Sequence, residues 1–462
     1  MSAAYPSFGF VGPNNLGLLV DLYELVMADA YLREGMNDEA TFDLFVRSLP
    51  PRRAFLISAG LESALHYLER FNVDGEGIAY LRGLDLFSEE FLDYLGTFRF
   101  TGEVWAIPEG EVCFPPEPLL EVTAPRIEAQ IIETFLLNTL NYQAMVASKA
   151  ARIVLAAQGR AVVDFSPRRD HAADAAMKAA RASYIAGCAG TSNVLAGKEY
   201  GIPVVGTMAH SYVMSFPDEL SAFRSFARDF PQNAVLLIDT YDTVQGAHHA
   251  VTVGGEMRAR GHALRGVRLD SGDLAALSRQ VRAVFDAAGL TDVQILLSGD
   301  LDEYRIAGVL AEGAAADSFG VGTALGTSED APTMGGVYKL VEDRAGPKIK
   351  LSTGKATLPG RKQVWRREET GGWQDIIALR DETPPEDHVP LLQQVMTGGR
   401  AVRPERLSEM RRRCAQRLAV LPSAFKDLHA APVPPVGLTP TLAALRANMF
   451  QRNAHNETRR RP

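Results

Sequence analysis

The sequence predicts an α/β protein built on a parallel sheet, either open and doubly wound or closed into a barrel. Three observations predict it. Short apolar runs recur along the second third of the chain: "AVVDF" at 161, "IPVVG" at 202, "AVLLID" at 234, "LRGVRLD" at 264, "VQILLS" at 293 and "ADSFGVG" at 316. The segments between them, most clearly "DLAALSRQVRAVFDAAG" and "LDEYRIAGVLAEG", carry helical periodicity. Strand-then-helix alternation requires parallel strands joined by covering helices. Both architectures place function at the C-terminal ends of the strands.

Taken in order, "LLVDLYELVMADAYLR" puts Leu18, Leu22, Leu25 and Val26 at helical spacing, an amphipathic opening helix. "ATFDLFVRSLP" alternates as a strand with Phe42, Leu44 and Val46 on one face. "SAGLESALHYLERF" reads as a second helix capped by Ser58, with Glu62 in its first turn. Residues 98–125, punctuated by Pro and Gly between alternating Val, Trp and Ile, read as antiparallel β. "IEAQIIETFLLNTLNYQAMVASKAARIVLAA" is one long helix or two, leading into the parallel repeat. After residue 345 the order weakens into a small β-rich part that could rejoin the first domain, and "RPERLSEMRRRCAQRLAVLPSAFKDL" reads as a terminal Arg-rich helix. The expected domains are therefore 1–126, 127–345 and 346–462.

Composition bounds the function. With 462 residues, 46% hydrophobic and 23% charged, the chain can build a sizeable core in two or three domains. Its net charge of −8 argues against a nucleic-acid binder, and the basic tail "HNETRRRP" reads as a solvated terminus. The N-terminus has no signal-peptide pattern and no run is long enough to span a membrane, so a cytoplasmic location is expected. Cys113, Cys188 and Cys414 stand apart, outside any CxxC pairing, and imply neither disulfides nor zinc; no metal ligand set is expected.

The strand ends are where chemistry concentrates. After "AVVDF" come Ser166, Pro167, Arg168 and Arg169; after "IPVVG", Thr207, His210 and Ser211; after "AVLLI", Asp239, Thr240 and Asp242. The later strands end in Asp270, Ser271, Gly272 and Asp273, then Ser298, Gly299 and Asp300, then Gly322 and Thr323. A structural edge needs only turn formers. Arginines, carboxylates and glycines together describe a site for a phosphorylated ligand, which raises His210 above a merely structural imidazole. "GVGTALG" is followed by "TSEDAPTMGG", a loop and no helix, which excludes a dinucleotide fingerprint. There, Gly320 and Gly322 read as letting backbone N–H groups approach a phosphate beside Thr323. "STGKATLPGRK" lacks the Walker A spacing, and "LDSGD" has too few ligands for an EF-hand but suits ribose hydroxyls or a hydrated Mg2+.

"LLVDLYELVMADAY", "DFSPRR", "GTSNVLAGKEYGIPVVGTMAHSYV", "VRLDSGD" and "FGVGT" follow one another in an order that strongly resembles the nicotinate phosphoribosyltransferase family, from about residue 16 to 365. The resemblance implies an irregular α/β barrel with an N-terminal α/β domain, a small C-terminal β-rich and helical part, and a homodimer with shared active sites. It implies that nicotinate and phosphoribosyl pyrophosphate give nicotinate mononucleotide and pyrophosphate, coupled to ATP hydrolysis with Mg2+, in NAD salvage. Carried onto this sequence, His210 is the residue phosphorylated by ATP, and Arg268, with Tyr23 and Thr207, contacts nicotinate. Phe165 stacks on the pyridine, Arg168 and Arg169 face anionic groups, Asp270 holds the ribose and Thr323, beside Gly322, the 5′-phosphate. Ser298, Gly299 and Asp300 supply further phosphate and ribose contacts, and Tyr23 and Asp21 reach the site from the partner subunit. Relatives commonly carry Gly after the Phe of "DFSPRR"; Ser166 and Pro167 here alter how that turn presents its arginines.

Displacement at an anomeric carbon develops oxocarbenium character while charge accumulates on pyrophosphate, so fixed cations matter more than a nucleophile or a general base. Where nicotinamide-specific relatives place an Asp, this chain has Ser192 and Asn193, which favours anionic nicotinate; an acid at Ser192 is expected to weaken nicotinate use. The competing readings are a nicotinamide or quinolinate phosphoribosyltransferase and a non-catalytic nucleotide-binding homologue. An aldolase-type barrel would want a Lys or Glu base at a strand end, where none stands.

Overall fold

A computed structural model describes residues 11–352, 357–369, 372–430 and 432–460, with side chains up to residue 452. The N-terminal decapeptide, the basic tail 455–462 and part of "STGKATLPGRK" lie outside these described residues or side chains. The chain divides into two compact units: 1–144 with 334–406 and 432–462, and 145–333 with 407–431. These boundaries differ from the expected 126 and 345. The first division falls inside the continuous helix Glu133–Ala156, where periodicity gives no break. The second arises because Gly336–Asp343 pairs antiparallel with Glu39–Val46, two strands nearly three hundred positions apart.

The first unit is built on a seven-stranded sheet. In spatial order its strands are 346–347, 336–343, 39–46, 118–125, 103–106, 393–397 and 400–401. Glu39–Val46 places Phe42, Leu44 and Val46 on one face, and everything after Glu39, on both faces, is buried. Its polar positions are satisfied from distant sequence: Thr41 Oγ1 meets Thr123 Oγ1 at 2.9 Å and Asp43 Oδ2 meets Lys362 Nζ at 2.9 Å. The strands 362–369 and 372–379 pair as an antiparallel hairpin within this unit. The second helix is Leu61–Arg70 and Ser58 is not its cap: Ser58 Oγ donates to Ile107 O at 3.0 Å. Gly60 occupies the N-cap at φ +102°, and the Glu109 carboxylate accepts from the amides of Gly60, Leu61 (3.1 Å) and Glu62 (3.3 Å). A carboxylate there satisfies orphan donors and complements the helix dipole. The opening helix is Leu22–Arg33; Leu25 is buried, whereas Leu22 and Val26 are about half exposed.

The second unit holds the expected parallel sheet. Its six strands, in spatial order, are Gly190–Thr191, Ala161–Asp164, Ser318–Val321, Gln294–Leu297, Gly266–Leu269 and Val235–Leu237. Every pairing is parallel, and the sheet curls as half a barrel. "IPVVG" is a correction: it forms only an isolated bridge, Thr191 to Val204, and the two-residue Gly190–Thr191 takes the edge position. Gly190 permits this approach, because a Cβ there would lie 2.5 Å from Pro203 O. The long helical stretch is two helices, Arg126–Gln130 and Glu133–Ala156. Residues Thr323–Gly326 make a single helical turn, and the stretch after it, expected as loop, runs as turn and loop to Gly335. The Arg-rich helix Leu407–Val420 is not terminal: it belongs to this unit, and Pro440–Arg460 follows it.

Candidate active site

Parallel strands of similar length end along one edge, and the residue after each continues the ladder. Ser298 N donates to Leu269 O at 2.9 Å, Phe165 N to Val321 O at 2.8 Å and Ser192 N to Asp164 O at 2.9 Å. The next side chains therefore collect at the C-terminal rim. At its centre is Arg268, the penultimate residue of its strand. Its Nε donates to Ser298 Oγ at 2.7 Å, Nη1 to Thr207 Oγ1 at 3.3 Å and Nη2 to Asp270 Oδ1 at 2.5 Å. Its guanidinium carbon lies 5.3 Å from the ring centroid of Phe165, within cation–π range. Phe165 packs in turn with Val163, Leu296 and Val205.

Asp270 is the second hub. Ser298 Oγ donates to its Oδ1 at 2.6 Å, and its Oδ2 stands 4.0 Å from His210 Nε2. Burial works against its charge, yet Ser298, Arg268 and His210 hold the carboxyl below the usual range. His210 opens the short helix His210–Met214, and its Nδ1 meets Thr240 Oγ1 at 3.1 Å. Asp239 Oδ2 accepts from Asp270 N at 2.8 Å and from Ser271 Oγ at 2.6 Å. Asp239 and Thr240 stood in the sequence as strand-end polar residues without a role; only the fold turns them toward Asp270 and His210.

Phe165, Thr207, His210, Arg268, Asp270 and Ser298 thus form one contact network. Gly299 supports it from the backbone: its φ is +97° and a Cβ would lie 1.9 Å from Asp270 O, so no other residue fits. Asp300 follows at φ +45°, its side chain exposed, its carbonyl accepting from Arg305 Nη1 at 2.9 Å. Gly320 makes room for something other than a phosphate: a Cβ there would meet Phe165 Cε2 at 2.4 Å. Gly322 precedes the turn begun by Thr323, and a Cβ on it would stand 3.4 Å from Phe165 O.

Other sequence candidates stand outside the network. Arg168 and Arg169 are exposed on a turn in which Ser166 O accepts from Arg169 N at 2.7 Å and Ser166 Oγ donates to Asp170 Oδ2 at 3.0 Å. Burial lifts the Asp170 carboxyl to about 6 against that hydrogen bond. Ser192 is half-buried beside Asn193, whose Oδ1 caps the helix Val194–Tyr200 by accepting from Ala196 N at 3.1 Å. Tyr23 belongs to the first unit, 46% exposed, where burial and then Glu133 push its hydroxyl pKa up.

No three His, Cys, Asp or Glu side chains cluster as a metal site among the described residues. A Mg2+ carried mainly by water and substrate phosphates needs only one or two carboxylates. Asp239 Oδ1 is buried with no donor, and Asp270 stands beside it, so these two carboxylates would be the ones to hold such an ion. Among the described residues no helix is long and apolar enough to cross a membrane.

Comparison with known proteins gives this geometry its setting. Residues 18–141 match the nicotinate phosphoribosyltransferase N-terminal domain, and residues 161–342 match the nicotinate phosphoribosyltransferase family. A nicotinate phosphoribosyltransferase of Mycobacterium tuberculosis is 49% identical over 414 residues, 89% of each chain. That of Bacillus subtilis is 44% identical over 380 residues, 80% of this chain and 77% of the relative. The crystal structure of human nicotinic acid phosphoribosyltransferase superposes with a TM-score of 0.82 at 29% identity, covering 93% of this chain and 99% of the human one. The family match over residues 161–342 runs through the strands that carry the Arg268 network, and the chain belongs to the nicotinate phosphoribosyltransferase family.

Proposed function

We propose that this enzyme joins nicotinate to phosphoribosyl pyrophosphate, giving nicotinate mononucleotide and pyrophosphate for NAD salvage in the cytoplasm, with ATP hydrolysis driving the reaction. The observation that carries the reading is Arg268, a cation held by three hydrogen bonds against an aromatic face. Such a fork recognises a carboxylate in a fixed plane. Nicotinate's carboxylate would pair with it, with Thr207 alongside, while Phe165 stacks on the pyridine. The ring nitrogen, already bearing its lone pair, attacks the anomeric carbon as pyrophosphate departs, and no base is required. Asp270 would hold the ribose, Ser298, Gly299 and Asp300 the adjoining hydroxyls and phosphate, Thr323 with Gly322 the 5′-phosphate, and Arg168 and Arg169 the outer anionic groups. Positioning of this kind supplies several kcal/mol on its own. Mg2+ held by Asp239 and Asp270 would neutralise charge on the leaving pyrophosphate.

His210 would accept the phosphoryl group of ATP; Thr240 on one ring nitrogen and Asp270 facing the other hold the imidazole toward the rim. Tyr23 and Asp21 would complete the site from the partner subunit of a homodimer. The test is formation of nicotinate mononucleotide with Mg2+, nicotinate and nicotinamide competing, with and without ATP. Wild type is expected to use nicotinate and to be stimulated by ATP, and His210→Ala to lose the stimulation while keeping a basal rate. Full ATP stimulation in His210→Ala would refute its assignment; product from nicotinamide alone would refute the substrate.

A further inference from the structure

Beneath the ring pocket lies a pair of side chains that substrate does not reach. Asp164 ends its strand and Thr191 ends the neighbouring one, directly opposite in parallel register, and both are fully buried. Asp164 Oδ1 accepts from Ser166 N at 2.9 Å and its Oδ2 from Thr191 Oγ1 at 2.7 Å. The same Thr191 hydroxyl accepts from Asn193 N at 3.0 Å, and Asp164 O accepts from Ser192 N at 2.9 Å. One carboxylate and one hydroxyl thereby tie the Phe165–Ser166 bend to the Ser192–Asn193 bend.

We propose that Asp164 and Thr191 are positioning residues for ring selectivity: their hydrogen bond fixes the spacing between the bend that carries Phe165, which stacks on the pyridine, and the adjoining Ser192–Asn193 bend. This deepens the reading of the site as nicotinate-specific and rests on it. Three features carry the inference. The pair is inaccessible, so it acts only through what it holds. Both carboxylate oxygens and both capacities of the hydroxyl are used, so little slack remains. The hydroxyl passes its hold to Asn193, whose side chain caps the next helix, so a slip there moves the whole bend. Selectivity between a carboxylate and an amide depends on where polar groups stand, to within a fraction of an ångström.

Thr191→Val keeps the shape and removes the hydroxyl; Thr191→Ser restores it. The expected result for Thr191→Val is a nicotinate KM raised about tenfold, equivalent to about 1.4 kcal/mol. Its preference for nicotinate over nicotinamide narrows by a similar factor. The KM for phosphoribosyl pyrophosphate and kcat stay within about twofold, and Thr191→Ser behaves as wild type. An unchanged nicotinate KM and preference, or an equal decline of every parameter not rescued by Ser, overturns the proposal. Should Thr191→Val fail to fold, Asp164→Asn carries the same comparison, since it keeps an acceptor for Ser166 N. Failure of both to fold while Thr191→Ser folds overturns it too, assigning the pair to stability. A wild type that ignores nicotinate refutes the underlying substrate assignment instead.

Discussion

Gly320→Ala tests how the ring pocket is built. Gly320 lies inside the strand Ser318–Val321, opposite Val163, and an added Cβ would stand 2.4 Å from Phe165 Cε2 and 2.5 Å from Cδ2. Non-bonded carbons settle at about 3.5–4.0 Å, so the phenyl ring must retreat by about an ångström. It has little room to do so, being 8% exposed and packed among Val163, Leu296 and Val205 beneath the Arg268 guanidinium. Overpacking of this kind costs about 1–3 kcal/mol, seen as a melting temperature lower by a few degrees. Stacking of two rings is worth about 0.5–1.5 kcal/mol, so losing it raises the nicotinate KM roughly two- to tenfold. Initial rates with each substrate varied separately give the answer. Phe165→Leu should make Gly320→Ala nearly harmless in the double variant, because the clash has gone. A raised KM for phosphoribosyl pyrophosphate with an unchanged nicotinate KM would refute the steric account and restore the view that Gly320 serves a phosphate.

Ser298→Ala strips Arg268 Nε of its acceptor and Asp270 Oδ1 of a donor, at 2.7 and 2.6 Å, at a buried position. With about 1–3 kcal/mol at stake for such a loss, kcat/KM should fall roughly tenfold or more; wild-type kinetics would show that the network does not organise the reaction. In the first unit, Glu24 accepts from Thr134 through Oε1 while its buried Oε2 has no donor, and burial lifts the carboxyl from 4.5 to about 7. An acid with a raised folded-state pKa contributes stability that is complete below its unfolded value and lost as pH rises through its folded one. Glu24→Gln should therefore gain in melting temperature relative to wild type between about pH 5 and pH 8; a difference constant across that range would refute the titration.

Much of the parallel sheet is legible because its strands are short apolar runs bounded by turn formers, a signal that survives without tertiary context. "IPVVG" shows the limit. Its apolar residues satisfy the same rule, yet Val204 is 52% exposed, and the edge strand is Gly190–Thr191, whose two small residues carry no apolar signal. Glu39–Val46 shows another limit. Its alternation assigns one apolar face and is silent on the other, where Lys362 pairs with Asp43 from more than three hundred residues away. Ser58 was a plausible cap by type, but the carboxylate that satisfies the helix amides is Glu109, on a loop that local sequence cannot bring there. At the site, Asp270 and Ser298 were legible as polar groups at strand ends, Thr207 and His210 as polar groups after an apolar run, and Phe165 and Arg268 only through the family resemblance.

What sequence position could not separate is a strand-end carboxylate that faces a ligand from one that faces the next strand. Asp164 is of the second kind through both its oxygens and Asp239 through its Oδ2, and there they use one device. Each accepts a backbone amide, from Ser166 at 2.9 Å and from Asp270 at 2.8 Å, and each accepts a hydroxyl, from Thr191 at 2.7 Å and from Ser271 at 2.6 Å. A turn held only by its own backbone would be free to shift when charge arrives. A turn tied to a buried carboxylate is already in place. The cost of ordering Arg268, Asp270 and Phe165 is then met during folding instead of during binding, and dipoles that need not reorganise stabilise charge best. The residues that touch substrate define which ring can bind. The buried carboxylates define how accurately they do so, which is why conservative changes at Asp164 and Thr191 should alter selectivity before they alter turnover.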